Sequence, residues 1–364
     1  MPVVSLSIER FRNLAPVSLR FSPHLNLFTG PNAAGKTSLL ESLFVLARAR
    51  SFRTRSLAKA VQAGESGFQL VATVETSQNR QIPVGLRCSQ EKLVARIDGQ
   101  PVSRLSELAG LVPVQWLGGN LHRLIEEGPV HRRQYLDWGL FHVKPAYGEV
   151  WRRFQKLLKQ RNAALRAGVS VREIHAWDHE LASSGEEVHN FRQNYLRKLA
   201  EAAKSVSREL LGLDEEIQVS YRKGWASQLP YIEALRQGLE RDREQRYTRS
   251  GPQRAELAFL YQGRPTVETF SRGQQKLLVL ALQVAQASLL RQETLRTSVF
   301  LMDDLGAELD AENQQRVMRL LHAIEAQAFV TAIDDPGVSH WSMDSVRRFH
   351  VKHGSVSEVL YSPG

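Results

Sequence analysis

Short apolar runs broken by turn formers open the chain. They predict strands at Val3–Ile8, Val17–Phe21 and Leu25–Phe28, the last two divided by Ser22-Pro23-His24. From Lys36 the pattern changes. Leu39, Leu40, Leu43, Phe44 and Ala47 recur at helical spacing, so a helix is expected from Lys36 to about Arg50. Phe68–Glu75, Gln81–Arg87 and Lys92–Ile97 read as an antiparallel meander with a turn at Asp98-Gly99, and Pro113–Leu117 as a further strand. Between about Ala146 and Arg246, Gly and Pro become scarce while Leu, Ala, Arg, Glu and Gln dominate, which favours helix. Helices are expected near 146–167 and 171–212, divided by Ala167-Gly168-Val169-Ser170. Ser170 and Glu173 have the spacing of a capping box. A strand in Leu211–Tyr221 and a helix over Leu229–Arg246 follow. From Ala255 strands and helices alternate again: Glu256–Tyr261, Ser271–Leu290, Ser298–Met302, Ala311–Ile324 and Ala328–Ile333. The expected fold class is α/β. Its body, residues 1–145 and 247–364, would be interrupted by a mostly helical insertion at 146–246.

Between the third strand and the first helix stands Gly30-Pro31-Asn32-Ala33-Ala34-Gly35-Lys36-Thr37. This is the G-x-x-x-x-G-K-[ST] spacing in the context it requires. Glycines let the backbone curl so that successive N–H groups face phosphate oxygens. The helix that follows offers its positive end to the same anion. Lys36 is expected to reach the outer phosphates and the Thr37 hydroxyl to ligate magnesium. The apolar strand Val299–Met302 ends in Asp303-Asp304. A carboxylate at such a strand end holds magnesium in phosphate-loop enzymes, a role expected of Asp303. Asp304 would orient or deprotonate the attacking water. Phe270 leads into Ser271-Arg272-Gly273-Gln274-Gln275-Lys276, where Ser271 can cap the next helix.

Taken in order, the phosphate loop, S-x-G-Q, and the acidic strand end followed by Glu308-Leu309-Asp310 resemble the ABC-type ATPases. The resemblance implies an ABC-type ATPase head with a mixed sheet core. In it Ser271, Arg272, Gly273 and Gln274 of one protomer would meet the ATP held by Lys36 of another, so that ATP drives homodimerisation. Those heads carry a His after the last core strand. Val330-Thr331-Ala332-Ile333 has none, and Thr331 offers the polar group there. A shorter base, Asp304 in place of the usual Glu, implies slow hydrolysis. Leu6–Leu14, with Phe11-Arg12-Asn13, looks like the start of a chromosome-maintenance ATPase. Gly128–Asp137, Lys159–Arg166 and Tyr247–Pro252 extend the likeness over the whole chain to the RecF family of bacterial recombinational-repair ATPases. That resemblance implies binding of double-stranded and gapped DNA, and work with RecR and, less directly, RecO to load RecA. It also implies a weak, DNA-stimulated ATPase with ATP and Mg2+ as cofactors. Gln115 is the candidate for the glutamine that touches magnesium. The sequence departs from the family at Gly119-Asn120, where Pro-Glu is usual, at Ala33 for a common Gly, and at Gln253, where a His usually follows Pro252.

Composition narrows the partners. The chain has 364 residues, with 48 Lys and Arg against 38 Asp and Glu, a net charge of +10. A basic excess suggests a polyanion but says nothing of fold. Two runs lack acids: Arg48, Arg50, Arg53, Arg55 and Lys59, and Arg152, Arg153, Lys156, Lys159, Arg161 and Arg166. Both are candidate DNA-phosphate contacts, which give salt-sensitive affinity without sequence preference. The single cysteine, Cys88, excludes an intrachain disulfide. No apolar run is long enough to span a bilayer and no signal peptide is evident, so a cytoplasmic protein without a membrane partner is expected. His175 and His179 lack a third ligand, and the tryptophans read as packing residues. Two other classes compete: the ATPase subunit of a membrane transporter, and a non-hydrolysing structural module.

Overall fold

The two kinds of strand in the sequence end in two different sheets. In the computed structural model, which describes residues 2–76, 78–89, 92–119, 122–334 and 345–359, the chain divides into two compact units. The first comprises residues 1–121 and 290–364. One of its sheets carries Val114–Leu117, Val299–Met302, Gln327–Ala332, Leu25–Thr29 and Val346–Lys352 side by side and parallel, with Ser355–Val359 antiparallel at one edge. Val299–Met302 and Gln327–Ala332 are buried at every position, as expected of strands covered on both faces. The other sheet is wholly antiparallel and orders Val17–Arg20, Val3–Glu9, Gly67–Glu75, Gln81–Ser89, Leu93–Ile97 and Gln100–Pro101. Its strands alternate buried and exposed positions, so one face points to the core.

The helix Lys36–Arg48 packs against strands of both sheets. Leu39, Leu40 and Leu43 join Leu6, Ile8, Phe68 and Leu70 of the antiparallel sheet and Phe28, Leu301, Phe329 and Phe349 of the parallel one in a single core cluster. Phe28 stacks on Phe349 with ring centroids 4.9 Å apart, and Phe21 meets Phe329 edge-on at 4.9 Å. The strands Val346–Lys352 and Ser355–Val359 were not anticipated. Arg347, Arg348, His350 and Lys352 hide the apolar pair Phe349 and Val351, which are buried.

The second unit, residues 122–289, takes in 122–145 and 247–289, which the sequence reading kept with the α/β body. The cause is a helix the sequence reading did not place, Pro129–Val143. Its Tyr135 hydroxyl donates to Leu282 O at 2.7 Å, and Gln286 donates back to Tyr135 O at 2.8 Å. Arg132 pairs with Glu256 at 2.9 Å and Arg133 donates to Ala255 O at 2.8 Å. Glu256–Tyr261 in turn forms a three-stranded antiparallel sheet between Gln218–Arg222 and Arg264–Pro265.

The helices Pro145–Ala167 and Val171–Leu211 pair as a hairpin through Gly168 at φ 67°. The expected capping box is present. Ser170 Oγ accepts from Glu173 N, and the Glu173 carboxylate accepts from Ser170 N at 2.9 Å. The helix expected over Leu229–Arg246 is two, Tyr231–Gln237 and Leu239–Gln245, broken at Gly238. No described helix is long and apolar enough to cross a membrane.

Candidate nucleotide site

The phosphate loop lies in the first unit, between the buried strand Leu25–Thr29 and the helix Lys36–Arg48. Gly30 has φ 148° and Gly35 φ 118°, values closed to most side chains. A Cβ on Gly30 would come 2.1 Å from Val351 O. Ala33, where the family commonly has glycine, nevertheless adopts φ 62°. The helix has no capping side chain at Gly35 and no acid in its first turn. Its leading N–H groups and positive dipole end are therefore left for an anion. The turn at Gly354 supports the loop from behind: Gly354 N donates to Ala34 O at 2.8 Å.

Lys36 Nζ donates to Gly30 O at 2.5 Å and Pro31 O at 3.0 Å, folded back over its own loop. The Thr37 hydroxyl lies 3.1 and 2.9 Å from the two Asp303 carboxylate oxygens. Thr37 and Asp303 thus meet across 266 residues of sequence. Asp304 is in the left-handed region at φ 50°. A cavity of about 550 Å³ is lined by loop residues 32–37, Ser38, Asp303, Asp304, Arg12, Asn13, Arg53, Lys59 and Val61.

The sequence reading missed the role of the Phe11-Arg12-Asn13 turn. Arg12 holds the buried Glu41 through two bonds of 2.9 and 2.6 Å, and also donates to Lys59 O at 2.7 Å. Ser38 donates to Asn13 Oδ1 at 2.9 Å. A glutamate in the middle of an apolar helical stripe was the available signal, since a buried charge requires a partner.

Other sequence-predicted residues fall elsewhere. Gln115 is buried on the strand beside Val299–Met302 and does not line the cavity; neither its amide oxygen nor its nitrogen has a partner among the described residues. Ser271, Arg272, Gly273 and Gln274 belong to the second unit and are exposed at the start of the helix Arg272–Thr294. Ser271 Oγ accepts from Gln274 N at 3.3 Å, while Gln274 Oε1 accepts from Ser271 N at 2.9 Å. Because the hydroxyl is an acceptor in that cap, its proton remains available for donation. Asn120 lies outside the described residues.

The two basic runs divide. Arg53 and Lys59 line the cavity, Arg50 and Arg55 are exposed, and burial, with Arg50 nearby, lowers the pKa of Arg48. In the second run Arg152, Arg153, Lys156, Lys159 and Arg166 are exposed, Arg153 paired with Glu187 at 2.7 Å. Arg161 is a correction. It is fully buried, donating to Asp178 and Asp242 at 2.7 Å each and to Thr248 at 2.8 Å, and cannot reach DNA. His175 contacts Asp178 at 2.7 Å, and no described group of His, Cys, Asp and Glu could hold a metal. Cys88 is buried and its thiol pKa is raised by that burial.

The donors fit magnesium, which takes hard oxygen ligands. A hydroxyl and a carboxylate converge at the mouth of a loop whose N–H groups suit phosphate. A glycine loop on an uncapped helix, an acidic strand end beside it, and a helical lobe carrying S-x-G-Q define an ABC-type ATPase head. The RecF/RecN/SMC N terminal domain model matches residues 2–357. The DNA replication and repair protein RecF of Pseudomonas aeruginosa is 38% identical over 363 residues, 99% of this chain and 98% of that protein. That of Vibrio vulnificus is 34% identical over 98% of this chain and 100% of its own. A solved structure of the recombination mediator protein RecF-ATPrS in the RecFOR pathway is 25% identical, with a TM-score of 0.84 over 98% of both chains. An SMC head bound to the C-winged helix domain of ScpA shares the fold at a TM-score of 0.63, covering 99% of this chain and 97% of its own, with 13% identity. The chain belongs to the RecF/RecN/SMC family and, within it, to the RecF proteins.

Proposed function

We propose that the chain is an ATP-switched DNA-binding protein of recombinational repair, which dimerises on ATP and releases on slow hydrolysis. The observation that carries this reading is the meeting of Thr37 and Asp303 at the end of the uncapped phosphate-loop helix. Magnesium bound there would supply charge neutralisation between the outer phosphates. Lys36 would exchange the carbonyls of Gly30 and Pro31 for phosphate oxygens. Gln115, outside the cavity wall and with an amide unpartnered among the described residues, would have to turn toward the site to reach magnesium. Asp304 would hold the attacking water. Ser271, Arg272, Gly273 and Gln274 of a second copy would close the site, Ser271 donating the proton its cap leaves available.

The 38%-identical relatives are replication and repair proteins, which supports DNA over the transporter alternative. Gapped or double-stranded DNA is the proposed ligand, with RecR, RecO and RecA as functional partners in the RecFOR pathway that the solved RecF structure names.

Sedimentation of wild type and Ser271→Arg with ATP and magnesium tests the reading. Wild type should be monomeric without ATP and dimeric with it, and Ser271→Arg monomeric throughout. A wild type that stays monomeric with ATP and DNA overturns the composite site. Lys36→Met and Asp303→Asn should each lower turnover by at least about 100-fold, as when one preorganised charge-stabilising group is removed.

A further inference from the structure

Thr331, the polar residue nearest the place where the sequence lacks a histidine, lies within the last core strand and points away from the cavity. It is fully buried near the end of the strand Gln327–Ala332 and does not line the cavity. Its neighbour Val330 lies opposite Met302, so Thr331 falls beside the acidic end of Val299–Met302. There its hydroxyl makes two bonds. It donates to Asp303 Oδ1 at 2.7 Å and accepts from Asp304 N at 2.8 Å.

A hydroxyl has one proton, so the direction of this chain is fixed: Asp304 N–H to Thr331, and Thr331 O–H to Asp303. Each bond constrains one of the two carboxylates assigned to the reaction. Asp303 is held by hydroxyls of two separate elements, Thr37 of the phosphate-loop helix and Thr331 of the adjacent strand. Asp304 has φ 50° and ψ 56°, a left-handed conformation that Asp tolerates but does not prefer. The bond from its N–H to Thr331 holds that bend. The bend carries the chain out of the strand and places Asp304 in the cavity wall.

We propose that Thr331 is a positioning residue. It orients the magnesium carboxylate and the water-holding aspartate together, and does not itself contact the nucleotide. This rests on the ATP and magnesium reading above. A buried hydroxyl thus acts on the two aspartates from the protein side of the site.

The test uses the full chain and three variants, Thr331→Val, Thr331→Ser and Asp303→Asn. Valine keeps the branched shape and removes the hydroxyl; serine keeps the hydroxyl. Mn2+ affinity is read by electron paramagnetic resonance with a non-hydrolysable ATP analogue. Analogue affinity in EDTA, turnover and melting temperature are measured alongside. Thr331→Val should weaken Mn2+ binding and lower kcat by about 10–100-fold, the usual effect of losing a group that orients a metal ligand. Analogue affinity in EDTA and the KM for ATP at saturating metal should stay within about twofold, the split expected when only metal orientation is lost. Thr331→Ser should restore both properties. If Thr331→Val binds Mn2+ as wild type does while Asp303→Asn does not, the role of Thr331 is wrong and the site reading stands. If Thr331→Val changes melting temperature and EDTA affinity but not Mn2+ binding, Thr331 is only structural. If wild type binds no Mn2+ with the analogue, the site reading fails and the inference with it.

Discussion

Leu295 ends the helix Arg272–Thr294 at φ 58° and is 82% exposed. Its N–H still donates to Arg291 O at 2.8 Å. A left-handed residue just past a helix end is glycine's position. An L side chain there costs about 1–2 kcal/mol, and exposure leaves that cost without compensating burial. Glycine returns about 0.4–1 kcal/mol through the freer unfolded chain. Leu295→Gly should therefore stabilise by about 0.5–1 kcal/mol, raising the melting temperature by about 1–3 °C. A fall in calorimetric melting temperature contradicts the argument. Backbone angles of this kind were not legible in the sequence, because leucine at a helix end reads as a continuing helix. The phosphate loop was legible because its glycines, lysine and threonine are dictated by the anion itself. The sequence named Thr37 and Asp303 as separate candidates for one site; their bond, and the partners of Thr331, came only from the packing of strands and helix.

The helical hairpin shows how a basic run can mislead. Arg161 and Asn162 lie in the motif Lys159–Arg166, and Thr248 in the turn Tyr247–Pro252. The sequence linked both segments to one family without linking them to each other. In the structure Thr248 donates to Asn162 Oδ1 at 2.8 Å while Arg161 bridges Asp178 and Asp242. A second buried arginine, Arg192, makes bonds of 2.7–3.0 Å to Asp137 and donates to Pro252 O. Burial opposes that charge most strongly, but Asp137, Tyr147 and Tyr221 together outweigh it and raise the Arg192 pKa. Removing one member of a buried pair leaves uncompensated charge and typically costs about 3–5 kcal/mol. Arg161→Met should lose that much in urea unfolding. The exposed Lys159→Met should stay within about 0.5 kcal/mol of wild type. Equal effects of the two would show that burial does not distinguish them.

For the molecule as a whole, the net charge of +10 has several destinations. Lys36, Arg12, Arg53 and Lys59 surround the nucleotide cavity, and Arg161 and Arg192 are internal ties. On the helix Pro145–Ala167, Arg152, Lys156, Lys159 and Arg166 are exposed. Each phosphate contact contributes about 0.9 to the slope of log affinity against log salt. Replacing Lys156, Lys159 and Arg166 by Gln should reduce that slope by about 2–3 for a gapped duplex, measured by fluorescence anisotropy, with ATP binding intact. An unchanged slope would move the DNA surface elsewhere.

By itself the sequence determined the elements whose patterning is local. These are the mainly apolar strands Leu25–Thr29, Val299–Met302 and Gln327–Ala332, the alternating meander, the capping box at Ser170, and the phosphate loop and acidic strand end. Tertiary structure alone decided which charges are internal and which are presented to solvent. It decided that Pro129–Val143 and Glu256–Tyr261 fold with the helical unit. It also decided that a threonine would hold both aspartates. The physical reason is the same in each case. Burial of a polar group is tolerable only beside its partner, and these partners lie tens to hundreds of residues away, where no local pattern reports them.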